Sequence, residues 1–184
     1  MKGIVFDEFV TMVEQEFGDE MLDTIIEKSI NSLPSKGAYT SVGTYDHNEI
    51  LVLVSALSLE CGEAVPELVK AFGKHLSKAF LEKFPDFFSQ CNNAIDFFKT
   101  IDAHIHQEVH KLYPDAELPS FTFKQSNENH LELIYESSRD FSMLALGLLE
   151  GTAEHYGQMM TIEMTRLPSS DATRVRFDIN SVEQ

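Results

Sequence analysis

Apolar positions recur at helical spacing through the first half of the chain and alternate with polar ones through the second. Val5, Phe9, Met12, Val13 and Phe17 share one face of a helix expected over residues 4–17, and Gly18 stops it. Asp19 opens a second helix, to about Ile30, and the stretch 32–45, with one proline and two glycines, is expected to be a loop. Asp46 is placed to cap a third helix, with Glu49 as its capping-box partner, and Gly62 ends that helix after Cys61. Pro66 fits the first turn of a fourth helix running to about Phe84. A fifth is expected from about Asn93 to Tyr113, closed by Pro114. Strict alternation then predicts strands over 120–125 and 130–136, joined through Asn127, Glu128 and Asn129. A helix over about 141–156 follows, then strands over 159–166 and 173–180. The expected architecture is a single α+β domain, residues 1–184. Its helical N-terminal half is followed by a four-stranded antiparallel sheet with an inserted helix.

Composition narrows the class. The formal net charge of −16 removes the overall basic surface that nucleic-acid binding needs, and it opposes approach to anionic membranes. An acidic surface does suit a basic patch on a protein partner. Asp7 and Glu8 interrupt the only early apolar run, so no signal peptide is expected, no run reaches the length of a membrane span, and a cytoplasmic location is expected. Cys61 and Cys91 have no ligand spacing and are expected as buried, reduced thiols.

His104, His106 and His110 fall in one expected helix. Its apolar stripe runs through Ala94, Phe98, Ile101, Ile105 and Leu112, and His106 sits about 100° from that stripe. Periodicity makes His106 a boundary residue and does not choose between it and His110. A solvated histidine is the ordinary outcome. The i, i+4 pair His106 and His110 could also hold zinc, in which case the chain would be a zinc-binding or non-haem interaction module, but further ligands are not evident. Tyr135, Ser137 and Arg139 alternate at the end of the second strand and would point to one side. Two hydroxyls and a guanidinium then form an anion clamp suited to carboxylates, unless Arg139 simply pairs with Asp140 or a surface glutamate. No nucleophile elbow, phosphate-binding loop or dinucleotide fingerprint is present.

Together these segments resemble the H-NOX family of haem domains, related to the haem domain of soluble guanylate cyclase. The resemblance runs over nearly the whole chain, through MKGIVF, KAFGKHL, HQEVHKLYPDAELPSF, YESSR and LGLLEG. Its most specific element is the YxSxR motif of Tyr135, Ser137 and Arg139, downstream of the histidine-bearing segment. The resemblance implies haem b (iron protoporphyrin IX) with His106 as the proximal iron ligand, and the motif residues holding the haem propionates. It implies Pro119 packed on the porphyrin, and a distal pocket of Val5, Phe9, Leu76, Phe80 and Leu144.

The same resemblance implies a non-enzymatic gas sensor that signals by conformational change to a histidine kinase or a cyclic-di-GMP enzyme. Oxygen-binding members carry a distal tyrosine where this chain has Leu144, five residues after Arg139. Loss of that donor implies NO and CO as ligands with discrimination against O2. The cysteine-bound structural zinc of some relatives is not expected, because no cysteine follows Cys91.

Overall fold

The N-terminal half packs its helices through the apolar stripes that the sequence lays out. Helices α1 (Gly3–Phe17) and α2 (Asp19–Ser29) are followed by a short 3-10 turn, Ile30–Ser32, and then by α3 (Asn48–Cys61), α4 (Val65–Lys83) and α5 (Pro85–Ser89). The computed structural model describes residues 1–182; Glu183 and Gln184, the end of the expected 1–184 unit, lie outside the described residues. Gly62 stops α3 at φ 79°, a left-handed cap that an L side chain resists. The short α5 is an addition to the expected elements; Pro85 begins it, at a position where its missing N–H costs nothing.

One expected cap is built differently. The Asp46 carboxylate accepts from the Asn48 backbone N–H at 2.9 Å, as an N-terminal cap should. Glu49 does not complete a capping box. It turns inward, almost fully buried, and accepts from the Ser35 backbone N–H at 3.2 Å and from the Tyr39 hydroxyl at 3.1 Å. The preceding loop supplies these donors, so Glu49 fastens that loop to α3. Cys61 and Cys91 are both free and only half buried, more open than expected.

The long helix expected over 93–113 is three pieces. Asn93 caps α6 (Ala94–Thr100) by accepting from the Asp96 N–H at 2.8 Å. Residues Ile101–Ile105 then form a widened π turn, and α7 (His106–Leu112) continues from it. Strands β1 (Ser120–Asn127) and β2 (His130–Ser137), helix α8 (Ser142–His155), and strands β3 (Met160–Leu167) and β4 (Thr173–Ser181) complete the described chain. The sheet is antiparallel throughout, in the order β1-β2-β4-β3. Leu131, Leu133 and Tyr135 on β2 and Val175, Phe177 and Ile179 on β4 are buried, as alternation requires of a sheet covered on one face.

Two apolar clusters result. One joins α1 to α4 around Phe6, Phe9, Leu53, Phe72 and Leu76; the other joins α6, α8 and the inner sheet face around Phe98, Leu133, Leu149 and Phe177. Phe80 and Met143 pack against both. Helices α4 and α8 cross closely at Gly73 and Gly147, where a Cβ on either glycine would collide with the opposing backbone. That crossing carries the seam between the two halves.

Candidate functional site

The π turn decides where His106 points. A π turn takes in one residue more than an α turn, so it sets every later side chain back by about 100° around the axis. His106 therefore takes the inward place that a regular helix would give Ile105. Its imidazole packs against Phe121 of β1, ring centroids 5.7 Å apart, and its side chain is only 17% exposed. His104 and His110 remain on the exposed surface. Among the described residues no group of His, Cys, Asp or Glu could hold a metal ion through three or more side chains, so the zinc reading of His106 and His110 gains no support.

His106 is held neutral. Burial pushes its pKa below the ordinary histidine value, opposed by the Asp102 carboxylate, assisted by His110 and opposed again by the Pro119 carbonyl. That carbonyl places Pro119 beside the imidazole. The His106 Nδ1 atom is buried and has no hydrogen-bond partner. Asp102 Oδ1 lies 3.6 Å from it, too far for a hydrogen bond. A neutral imidazole carries one N–H and one lone pair, so a proton on Nδ1 leaves Nε2 free for a metal.

Phe121 links His106 to the second candidate group. Its ring meets that of Tyr135 at 5.6 Å, edge on. Tyr135 is buried, and its hydroxyl donates to the Arg139 carbonyl at 3.0 Å and accepts from the Phe141 N–H at 3.3 Å. The Ser137 hydroxyl oxygen accepts from the Arg139 N–H at 3.1 Å. The two hydroxyls thus shape the turn that presents Arg139, and burial pushes the Tyr135 phenol up, keeping it a neutral donor. Of the two partners weighed for Arg139, Asp140 is engaged by Arg166, and the exposed Glu117 carboxylate is the one paired with the Arg139 guanidinium. The guanidinium also faces the N-terminal amine and His47, depressing the pKa of both after burial. It therefore stands near the N-terminal helices as well as the sheet.

The expected apolar wall comes from three elements. Val5 and Phe9 lie on α1, Leu76 and Phe80 on α4, and Leu144 on α8. Phe9 and Leu76 are fully buried in the first cluster, and Val5, Phe80 and Leu144 pack against it. Phe121 and Tyr135 belong with the second cluster, and the His106 ring packs on Phe121, while Phe80 and Met143 pack against both clusters. A buried imidazole, a guanidinium set among hydroxyls and an apolar wall suit a flat, largely apolar metal complex with carboxylate tails.

Three neighbours of this site were not singled out from the sequence. Asp102 precedes His106 by one helical turn, a spacing that could have pointed to it. Glu117 reaches Arg139 from the loop before β1, and nothing local marks it. Lys2 bonds Asp115 at 2.8 Å and lies 5.0 Å over the Tyr113 ring, tying the start of α1 to the end of the histidine-bearing segment. A wide surface depression of about 770 Å³ lies elsewhere, between the β1–β2 turn at Asn127–Asn129 and Asn180 and Ser181, at the far end of β2 from Tyr135.

A family model described as haem-NO-binding matches residues 2–164. No curated relative matches the chain. Among solved structures, the unliganded Fe(II) H-NOX protein from K. algicida is 38% identical over 100% of this chain and 98% of its own, with a TM-score of 0.92. An H-NOX protein from S. oneidensis in the Fe(II)NO state is 26% identical over 100% of both chains, with a TM-score of 0.89. A point mutant of the T. tengcongensis H-NOX protein, 22% identical over 100% of this chain and 98% of that one with a TM-score of 0.86, shares the fold. The helical half followed by a four-stranded antiparallel sheet matches these structures.

Proposed function

The chain belongs to the haem-NO-binding, or H-NOX, family of haem-based gas sensors, and on that footing we propose that it senses NO, and binds CO, through haem b held by His106. The observation that carries the assignment to His106 is the burial of its imidazole, only 17% exposed, on the one histidine of the three that the π turn directs inward. When bound, the haem supplies an iron with an open position for a diatomic gas.

This chain's residues then have separable tasks. His106 offers a neutral imidazole to the iron. Arg139, with Tyr135 and Ser137, provides the cation and hydroxyls for two propionates, and Glu117 gives way as they bind. Pro119, whose carbonyl faces His106, packs against the porphyrin. Val5, Phe9, Leu76, Phe80 and Leu144 exclude water and present no hydrogen-bond donor to the gas, which disfavours O2 relative to NO and CO.

H-NOX domains are sensor modules, not enzymes, so a separate signalling unit reads the output. We assign that role to a cytoplasmic histidine kinase or cyclic-di-GMP enzyme that reads a shift of the N-terminal helices against the sheet. Two packed clusters that share Phe80 and Met143 at their boundary support that reading, since a shift of one against the other would be the two-state element such signalling requires. No helix of the described residues is long and apolar enough to cross a membrane.

The test of the ligand assignment is His106→Gly, reduced, with and without imidazole. The expected result is loss of the five-coordinate ferrous spectrum and its return when imidazole is supplied. An unaltered five-coordinate spectrum without imidazole would show that another residue holds the iron.

A further inference from the structure

We propose that Asp102 is the positioning residue for His106, its carboxylate holding the imidazole proton on Nδ1 so that Nε2 presents its lone pair to the iron. The inference rests on His106 being the iron ligand and goes one residue beyond it.

The His106 Nδ1 atom is buried without a partner. A neutral imidazole carries one ring proton, and the nitrogen that holds it is chosen by the hydrogen bond available there. Asp102 Oδ1 stands 3.6 Å from His106 Nδ1. A lone pair on Nδ1 would face that negative oxygen, whereas an N–H there would be attracted to it. A closure of about 0.5 Å converts the approach into a hydrogen bond of ordinary length. The ring is fixed enough for the preference to act, because Phe121 packs on it at 5.7 Å.

The carboxylate is fixed as well. Asp102 Oδ1 accepts from the backbone N–H of Phe121 at 3.1 Å. One oxygen thereby ties the π turn to β1 and stands beside the imidazole. Nearby charge is already engaged: Lys99 pairs with Asp96 at 2.6 Å and reaches Gln125 at 3.2 Å. Asp102 is half exposed, at the rim of a depression of about 250 Å³ lined also by Phe98, Lys99, Ala103 and Phe121–Phe123. Water therefore weakens the carboxylate's field without removing its geometric preference.

Partners of this kind commonly change metal affinity by roughly 10–100-fold when removed. The test uses Asp102→Ala, Asp102→Asn and Asp102→Glu, each with histidine labelled in 15N. In the haem-free protein, nitrogen shifts should place the His106 proton on Nδ1 in the wild type. The proton should move toward Nε2 in the alanine variant and return in part with glutamate. In the haem-loaded protein, the alanine variant should lose about 10–100-fold in haem affinity. Its iron–histidine stretching band should shift to lower frequency. If Asp102→Ala folds poorly, Asp102→Asn keeps an acceptor for the Phe121 N–H and should give a mixed proton distribution. A His106 proton distribution unchanged from wild type in either variant overturns the proposal. Failure of the wild type to take up haem, with the Asp102-dependent proton shift intact, would overturn the cofactor reading and leave this positioning role standing.

Discussion

Gly147→Ala is expected to destabilise the protein although it replaces a poor helix former with the best one. In an open helix this exchange gains about 1 kcal/mol. Here the new Cβ would lie 2.0 Å from the Lys70 carbonyl oxygen, 2.8 Å from the Gly73 Cα and 3.0 Å from the Lys70 carbonyl carbon. All three are backbone atoms, so no side chain can swing away. Ordinary contact begins near 3.4 Å, so α4 and α8 must separate by about 1.4 Å at the crossing. Overpacking a fitted interface costs about 1–3 kcal/mol, and a clash confined to backbone belongs at the upper end. After the propensity gain, the net loss is about 2 kcal/mol. Urea unfolding reads this directly: with a slope of about 2 kcal/mol per molar, the midpoint falls by about 1 M. Gly73→Ala should act alike, because its Cβ would strike the Leu144 carbonyl oxygen and push that residue's backbone. A midpoint for Gly147→Ala equal to or above wild type would refute the close crossing and the seam built on it.

Two further outcomes are expected. Burial pushes the phenols of Tyr39 and Tyr156 up to about 12. A phenol whose folded pKa lies above its unfolded value near 10 favours the fold below that pH and loses the contribution as pH rises toward 12. Phenolate absorbance should therefore show part of the five tyrosines titrating late, near unfolding, and all five ionising near pH 10 in folded protein would contradict it. Leu144→Tyr, which adds a donor to the apolar wall, should raise O2 affinity enough to be seen in air; no gain would count against the donor argument for gas selectivity.

The strands were legible because a half-buried antiparallel sheet writes its register into alternate residues, as Leu131, Leu133 and Tyr135 do against Val175, Phe177 and Ile179. The helix ends at Gly18 and Gly62 were equally local. The π turn at Ile101–Ile105 was not legible, because it is a slip in backbone hydrogen bonding that no residue type marks. Periodicity over a regular helix therefore placed His106 at a boundary, and only the family resemblance preferred it to His110. Glu49 read as a capping residue because its true partners, Ser35 and Tyr39, come from a loop without period. The motif of Tyr135, Ser137 and Arg139 was visible, but its internal bonds to the Arg139 and Phe141 backbone depend on the turn after β2. Gly147 could be seen within its helix, while the helix it approaches lies far away in sequence.

A haem held by His106 against the apolar wall, as proposed, would respond to NO and not hold O2. The most direct test is the absorption spectrum of the purified, reduced protein, first under argon, then in air, then with NO. The expected result is a five-coordinate ferrous Soret band that air leaves unchanged and NO shifts. A stable oxygen-bound spectrum in air, or no Soret band after haem reconstitution, would contradict it.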